Sequence, residues 1–236
     1  MTVPHFFIAG TDTGVGKTYI TGLIAANLKK CMINCVTQKW VQTGNHSFSE
    51  DLDAHLTAMG LVRDDFNTHL NDMNPYCFSL PASPHFAAQQ AQASIDPQKI
   101  ISSFHKLTES FDTVIVEGAG GLLVPYSNSH TMLDIVSELT LPVLLVVENK
   151  LGCINHCLLS LETLQHRQIP CLGIILNDVS KICSINHEMI NKILSDEILE
   201  NINSDGDLLE NKYFVGSNYR KIRKKLIIEI VEARIE

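Results

Sequence analysis

The segment Gly10-Thr11-Asp12-Thr13-Gly14-Val15-Gly16-Lys17-Thr18 brings three glycines, a lysine and a hydroxyl together. Glycines let backbone N–H groups close around phosphate oxygens, and a lysine in this setting reaches the outer phosphates of a triphosphate. The Thr18 hydroxyl can ligate a divalent cation. An apolar run, Phe6-Phe7-Ile8-Ala9, precedes the loop and a helical pattern follows it, which is the context such a loop needs. Its spacing is unusual, because five residues rather than the common four separate Gly10 from Gly16. A Gly-Lys-Thr triplet out of that context would read as an ordinary turn and cap.

Glu117 opens a second glycine-rich turn, Glu117-Gly118-Ala119-Gly120-Gly121, directly after Thr113-Val114-Ile115-Val116. A carboxylate there can hold Mg²⁺ opposite the phosphate loop, and the small residues beside it permit close approach of a triphosphate. Asp53, in Asp51-Leu52-Asp53-Ala54, is a further candidate oxygen ligand; by itself it reads equally as a solvated or capping carboxylate. Lys39 follows a short strand-like run and precedes Thr43-Gly44, a position from which a cation can hold an anionic intermediate. Lys150-Leu151-Gly152-Cys153-Ile154-Asn155-His156 begins a helix, either as a plain start or as a set of free N–H groups for a carboxylate. His85 and His156 read as hydrogen-bonded structural histidines. Cys31 with Cys35 and Cys153 with Cys157 share C-x3-C spacing but lack a second matching pair, so they read as packing thiols.

These residues must be placed by a sheet. Short apolar runs at Phe6 to Ala9, Thr113 to Val116, Val143 to Val147 and Gly173 to Leu176 alternate with helical patterns, and a further strand, Asn34 to Gln38, is shorter and more polar. Runs that do not alternate in polarity suit parallel strands covered on both faces, the α/β doubly wound pattern. Helices are expected near 17 to 30, 153 to 167 and 187 to 194, with two more between 84 and 110 split at Asp96-Pro97. Residues 45 to 82 are less regular. Lys39, Glu117, Asn149-Lys150 and Asn177-Asp178 each follow an apolar run, and ligands of open α/β sheets bind beyond the carboxyl ends of the strands. The pattern brings these residues to one edge.

The 236 residues are expected to form a single domain, 1–236, with 45% hydrophobic and 19% charged residues, enough apolar surface for a core. A formal charge of −8 argues against a broad nucleic-acid footprint. The basic run Arg220 to Lys225 beside Leu226 to Val231 reads as the solvated face of an amphipathic helix. The seven cysteines are odd in number and scattered, so reduced thiols and a cytoplasmic location are expected, with no membrane contact.

Taken together, the phosphate loop, Asn74-Pro75-Tyr76 with Ser83-Pro84-His85, Val116 to Gly121, Lys150 to His156 and Asn177-Asp178-Val179 resemble the dethiobiotin synthetase family, over about residues 5 to 180. The resemblance implies a P-loop NTPase-like fold, a mostly parallel central sheet flanked by helices on both faces. It implies a ligase of biotin biosynthesis that uses Mg²⁺, with ATP as co-substrate, to join CO2 (or bicarbonate) to 7,8-diaminopelargonic acid. One amine captures CO2 as a carbamate, the carbamate takes the γ-phosphoryl group, and the other amine closes the ring with loss of phosphate.

By the same resemblance Lys39 and Lys17 are the catalytic cations, and Thr18, Asp53 and Glu117 the Mg²⁺ ligands. Gly14, Val15, Gly16, Lys17, Thr18, Tyr19, Asp53, Glu117, Gly118, Ala119, Gly120, Asn177 and Asp178 line the nucleotide site. Thr13, Lys39 and Thr43 contact the substrate, as do Gly152, Cys153, Ile154 and Asn155 across a homodimer interface. Trp40 and Gly14 stand where the family usually has proline and glutamate. A cross-dimer tyrosine has no counterpart near Met189, and no Pro-containing segment after residue 180 matches a second contact to the base.

Two rivals are weaker. A ParA/MinD-like nucleotide switch carries an extra lysine early in the loop, where Thr11 stands here. A glutamine-dependent amidoligase needs a following glutaminase domain, for which 236 residues leave no room.

Overall fold

In a computed structural model the chain is described over residues 3–177. Asp178, the helix expected near 187 to 194, the surroundings of Met189 and the basic run at 220 to 225 lie outside the described residues. Five strands, β1 (Phe6–Gly10), β2 (Cys35–Lys39), β5 (Thr113–Gly121), β6 (Val143–Glu148) and β7 (Cys171–Asn177), form one parallel sheet in the order β2-β5-β1-β6-β7. The chain builds outward from β1 in one direction and, after β5, in the other. The carboxyl end of β1 therefore lies at the switch point where such sheets bind ligands.

Alternate residues of each strand enter different cores. Phe7, Ala9, Val36, Val114, Val116, Leu145 and Val147 pack in the larger apolar cluster, with α5 (Pro97–Ser110), α6 (Met132–Glu138) and α7 (Cys153–His166). Phe6, Ile8, Cys35, Ile115, Leu144 and Val146 pack in the second, with α1 (Lys17–Lys30). Strands buried on both faces have no solvent side to mark, which is why four of them read as apolar runs; β2, though buried throughout, carries Thr37, Gln38 and Lys39. All five expected strands are present, and β5 continues through its glycines to Gly121.

The less regular region holds more order than its pattern suggests. It contains α2 (Glu50–Ala58), a 3-10 turn (Arg63–Phe66), α3 (Leu70–Met73) and β4 (Tyr76–Phe78), which pairs in parallel with β3 (Val41–Thr43) just before the region. Helix α2 starts because Ser49 Oγ accepts the Leu52 N–H at 3.2 Å, and Glu50, Asp51 and Asp53 suit the positive end of the helix dipole. The expected break at Asp96-Pro97 separates α4 (Pro84–Gln90) from α5, whose start is capped by the Asp96 carboxylate on the Gln98 N–H at 2.9 Å. Helix α6, which the sequence reading did not anticipate, is opened by a Thr131–Asp134 capping box.

Candidate active site

The phosphate loop leaves β1 at Gly10 and enters α1 at Lys17. Gly16 caps that helix with φ of 91°, a left-handed conformation, and no side chain covers the free N–H groups. A Cβ at Gly16 would fall 2.1 Å from Asn177 Nδ2, so glycine is required on two counts. Asn177 closes the back of the loop by donating Nδ2 to the Val15 carbonyl at 2.8 Å, while its buried Oδ1 has no partner. Val15 itself is a core residue, and its contribution to the loop is through the backbone. Tyr19 is half exposed on α1.

Lys17 is buried and donates to the Asp12 carbonyl at 2.9 Å, folding its ammonium over the loop. Burial, joined by the nearby Lys39 charge, lowers its pKa to about 8 against the pull of Glu117, Asp51 and Asp12.

Beside it lies a cluster of two carboxylates around Lys39. Lys39 Nζ is 2.7 Å from Asp51 Oδ2 and 2.7 Å from Glu117 Oε1, and it donates to the Gly118 carbonyl at 3.2 Å. Thr18 Oγ1 lies 2.9 Å from Asp51 Oδ1 and 3.1 Å from Glu117 Oε1. The other Glu117 oxygen, Oε2, meets His55 Nε2 at 2.7 Å. Burial alone would raise the Glu117 pKa, but the Lys39 charge and the bonds from His55 and Lys39 hold it well below the usual carboxylate range. Burial likewise works to discharge Lys39; Glu117 and Asp51 outweigh it, so its pKa is raised. Both groups are ionised near neutral pH.

One expected ligand is corrected. Asp53 points away from the loop and pairs with Arg63 at the surface, whereas Asp51 occupies the position beside Thr18. The reason is helical geometry: two residues along α2 turn the side chain by about 200°, so Asp51 and Asp53 occupy opposite faces. The Thr18 hydroxyl has two further hard oxygens beside it, Asp51 Oδ1 at 2.9 Å and Glu117 Oε1 at 3.1 Å. Neighbouring ligands of an octahedron with bonds of about 2.1 Å are separated by roughly this much, so the set fits a small divalent cation.

A cavity of about 700 Å³ opens over the cluster. Thr13, Gly14, Gly16, Lys17, Thr18, Lys39, Thr43, Glu117, Ala119 and Gly120 line it, as expected from sequence, and Asp51, Gln42 and Val124 join them. Gly118 supports the site from behind, where a Cβ would meet the Phe7 ring at 2.5 Å. Gly152, Cys153, Ile154 and Asn155 start α7 and do not line this cavity; Cys153 is buried in the core. Trp40, in the place of the family's proline, is buried against Phe7 and donates Nε1 to Gln38 Oε1 at 2.9 Å.

The reading of His85 and His156 as hydrogen-bonded structural histidines is not borne out. His85 is partly buried with no partner at Nδ1, and His156 lies exposed on the first turn of α7. His55 and Asp51 were missed, although Leu52, His55, Leu56 and Met59 recur at helical spacing. A polar residue on that otherwise apolar stripe was the available signal.

Phosphate loop, lysines and acidic strand end, set at the switch point of a parallel sheet, define a P-loop nucleotide-binding protein. A family model described as an AAA domain matches residues 5–213. An ATP-dependent dethiobiotin synthetase of Lysinibacillus sphaericus is 43% identical over 180 residues, covering 73% of this chain and 75% of that one. One from Halalkalibacterium halodurans is 39% identical over 205 residues, covering 84% and 83%. The chain belongs to the ATP-dependent dethiobiotin synthetase family. Among solved structures, pNOB8 ParA bound to nonspecific DNA shares the fold at a TM-score of 0.54 and 15% identity, over 91% of this chain and 80% of that one. A ParA family ATPase from Chlorobium tepidum does so at 0.51 and 17%, over 98% and 99%. At such identities the likeness concerns the fold alone.

Proposed function

We propose that this chain is an ATP-dependent dethiobiotin synthetase, which carboxylates 7,8-diaminopelargonic acid with CO2 and closes the ureido ring, forming ADP and phosphate. The observation that carries this reading is Lys39, a buried ammonium held between Asp51 and Glu117 at the mouth of the phosphate loop. A phosphoryl acceptor lying over the loop meets two cations, Lys17 and Lys39, and both carbamate and transferring phosphoryl are anionic. Fixed cations in a recess stabilise that charge more than water does and need no reorganisation as it develops.

Each residue then has a task. The loop N–H groups and Lys17 hold the triphosphate, and Lys39 turns toward the carbamate. Thr18, Asp51 and Glu117 hold Mg²⁺, which neutralises phosphate oxygens when bound. Thr13 and Thr43 line the cavity and face the substrate. Asn177 stands behind the loop, outside that lining, and its amide, with an unpartnered Oδ1, suits an adenine amino group. The start of α7 is proposed to meet the substrate carboxylate across a homodimer interface. It stands outside its own subunit's cavity, and Leu151 beside it is fully exposed. A cytoplasmic setting suits an enzyme that consumes ATP and bicarbonate.

Purified protein given diaminopelargonate, bicarbonate, Mg²⁺ and ATP is expected to release dethiobiotin and phosphate together. Phosphate release indifferent to the diamine, with no dethiobiotin, defeats the proposal. Lys39→Ala is expected to keep ATP binding and lose most turnover; full turnover rejects the role given to Lys39.

A further inference from the structure

His55 has no exposed surface and no place in the chemistry described above, yet it touches the most buried acid of the site. Its Nε2 lies 2.7 Å from Glu117 Oε2, and its Nδ1 is buried with no partner. A neutral imidazole carries one N–H. With no acceptor at Nδ1 and a carboxylate at Nε2, the proton belongs on Nε2, which donates to Glu117.

The bond divides the work of the two Glu117 oxygens. Oε2 is taken by His55, and Oε1 is the oxygen that faces Lys39 and Thr18. Without His55 the carboxylate can rotate about its terminal torsion, which is broad for glutamate. His55 also lies one turn beyond Asp51 on the same face of α2, so one helix delivers Asp51 to Thr18 and Lys39 and a clamp to Glu117. Close packing of α2 on α1 fixes that distance: a Cβ at Gly22 would meet Ala58 Cβ at 3.1 Å and His55 Cα at 3.5 Å.

We infer that His55 is a positioning residue that orients Glu117 through Nε2, so that Glu117 Oε1 and Asp51 face a bound divalent cation as one preset pair. The inference rests on the proposed Mg²⁺ role of Glu117. Hydrogen bonds that orient a metal ligand are typically worth about 10- to 100-fold in metal affinity.

The test compares two amides of different reach. A glutamine at this position carries its Nε2 close to the imidazole Nε2, whereas an asparagine ends near Nδ1 and cannot reach Glu117. Mg²⁺ is titrated into the full chain with a fixed amount of a non-hydrolysable ATP analogue, with binding read from the single tryptophan, Trp40, next to Lys39. His55→Gln is expected to keep the wild-type Mg²⁺ half-saturation, and His55→Asn to raise it by about 10- to 100-fold. Analogue binding without metal, and the KM for the diamine, should be alike in both variants. Equal Mg²⁺ dependence in His55→Asn, His55→Gln and wild type overturns the inference. So does an equal loss in both variants, which would mark His55 as a packing residue. A wild-type chain whose analogue binding ignores Mg²⁺ instead overturns the metal reading of Glu117 itself. If His55→Asn fails to fold, His55→Leu takes its place, alone and combined with Glu117→Gln. A raised Mg²⁺ half-saturation in His55→Leu that vanishes on the Glu117→Gln background supports the inference; no rise, or an equal rise on both backgrounds, overturns it.

Discussion

Asp51 and Asp53 stand two residues apart, and replacing each by asparagine separates a ligand from a surface charge. Asp51→Asn keeps the size of the side chain but removes the charge that pairs with Lys39 at 2.7 Å, and it leaves a single oxygen where Asp51 offers one to Lys39 and another to Thr18 at 2.9 Å. Its side chain is 27% exposed against 6% for Lys39, so the pair is only partly screened. A hydrogen bond to a charged group is worth about 1.5–3 kcal/mol, which at about 1.4 kcal/mol per decade is a loss of roughly 10- to 100-fold. Lys39 keeps Glu117, so the fold should survive. The Asp53–Arg63 pair has side chains 36% and 45% exposed. Exposed pairs contribute about 0–1 kcal/mol, and this one is away from the cavity, so Asp53→Asn should change turnover by less than about 2-fold. The assay is diamine-dependent phosphate release over a series of Mg²⁺ concentrations, with thermal unfolding as a check on folding. The loss in Asp51→Asn should shrink as Mg²⁺ rises. Equal losses in both variants, or an unaltered Asp51→Asn, refute the assignment.

Lys17 gives a pH effect of definite sign. Its pKa in the free site is lowered to about 8, so the free enzyme sheds that proton as pH rises through 8, whereas a bound triphosphate favours the charged form. Nucleotide binding at pH 8 should take up about half a proton and weaken at higher pH, measured by calorimetry in buffers of different ionisation enthalpy. Gly16→Ala forces a side chain into a left-handed backbone and against Asn177 Nδ2, and it is expected to cost about 1–3 kcal/mol and abolish nucleotide binding. Gly14→Ala, at φ of 77° with nothing within 4 Å, should lose only part of the affinity. Nucleotide titration and unfolding midpoints check both; equal behaviour of the two variants rejects the Asn177 contact.

The parallel strands and the phosphate loop were legible because each is written locally. Except at β2, a strand buried on both faces is an uninterrupted apolar run, and the loop is a glycine pattern between a strand and a helix. Asp51 against Asp53 was not legible in the same way. Both carboxylates sit in the first turn of a short helix that begins at a Ser49 cap, and only the rotation of α2 against α1 decides which one faces Thr18. His55 was hidden for the opposite reason. Its partner Glu117 is distant in sequence, and from the chain alone a histidine on an apolar helix face is a core residue. Helix α6 and the β3–β4 pair are short, and elements this short carry too few periodic positions to register.

The sheet alone does not place the second cation of this site; the register of two strands does. β2 and β5 pair in parallel with Lys39 opposite Glu117 and Gln38 opposite Val116. Because side chains alternate, a slip of one residue would send Lys39 to the other face of the sheet and bring Gln38 beside the acid. That register is held by burial: Val36, Val114 and Val116 enter one core while Cys35 and Ile115 enter the other. Any slip would exchange whole rows of apolar contacts. Gln38 is also committed elsewhere, to the Asp72 carbonyl at 2.8 Å and to the Trp40 indole at 2.9 Å. The cation that separates this site from a bare phosphate loop is thus placed by core packing several residues away. Trp40, on the far side of Lys39 from Gln38, ties the strand end into the same core through Phe7. A truncated side chain there should disturb Lys39, and with it turnover, before it weakens nucleotide binding.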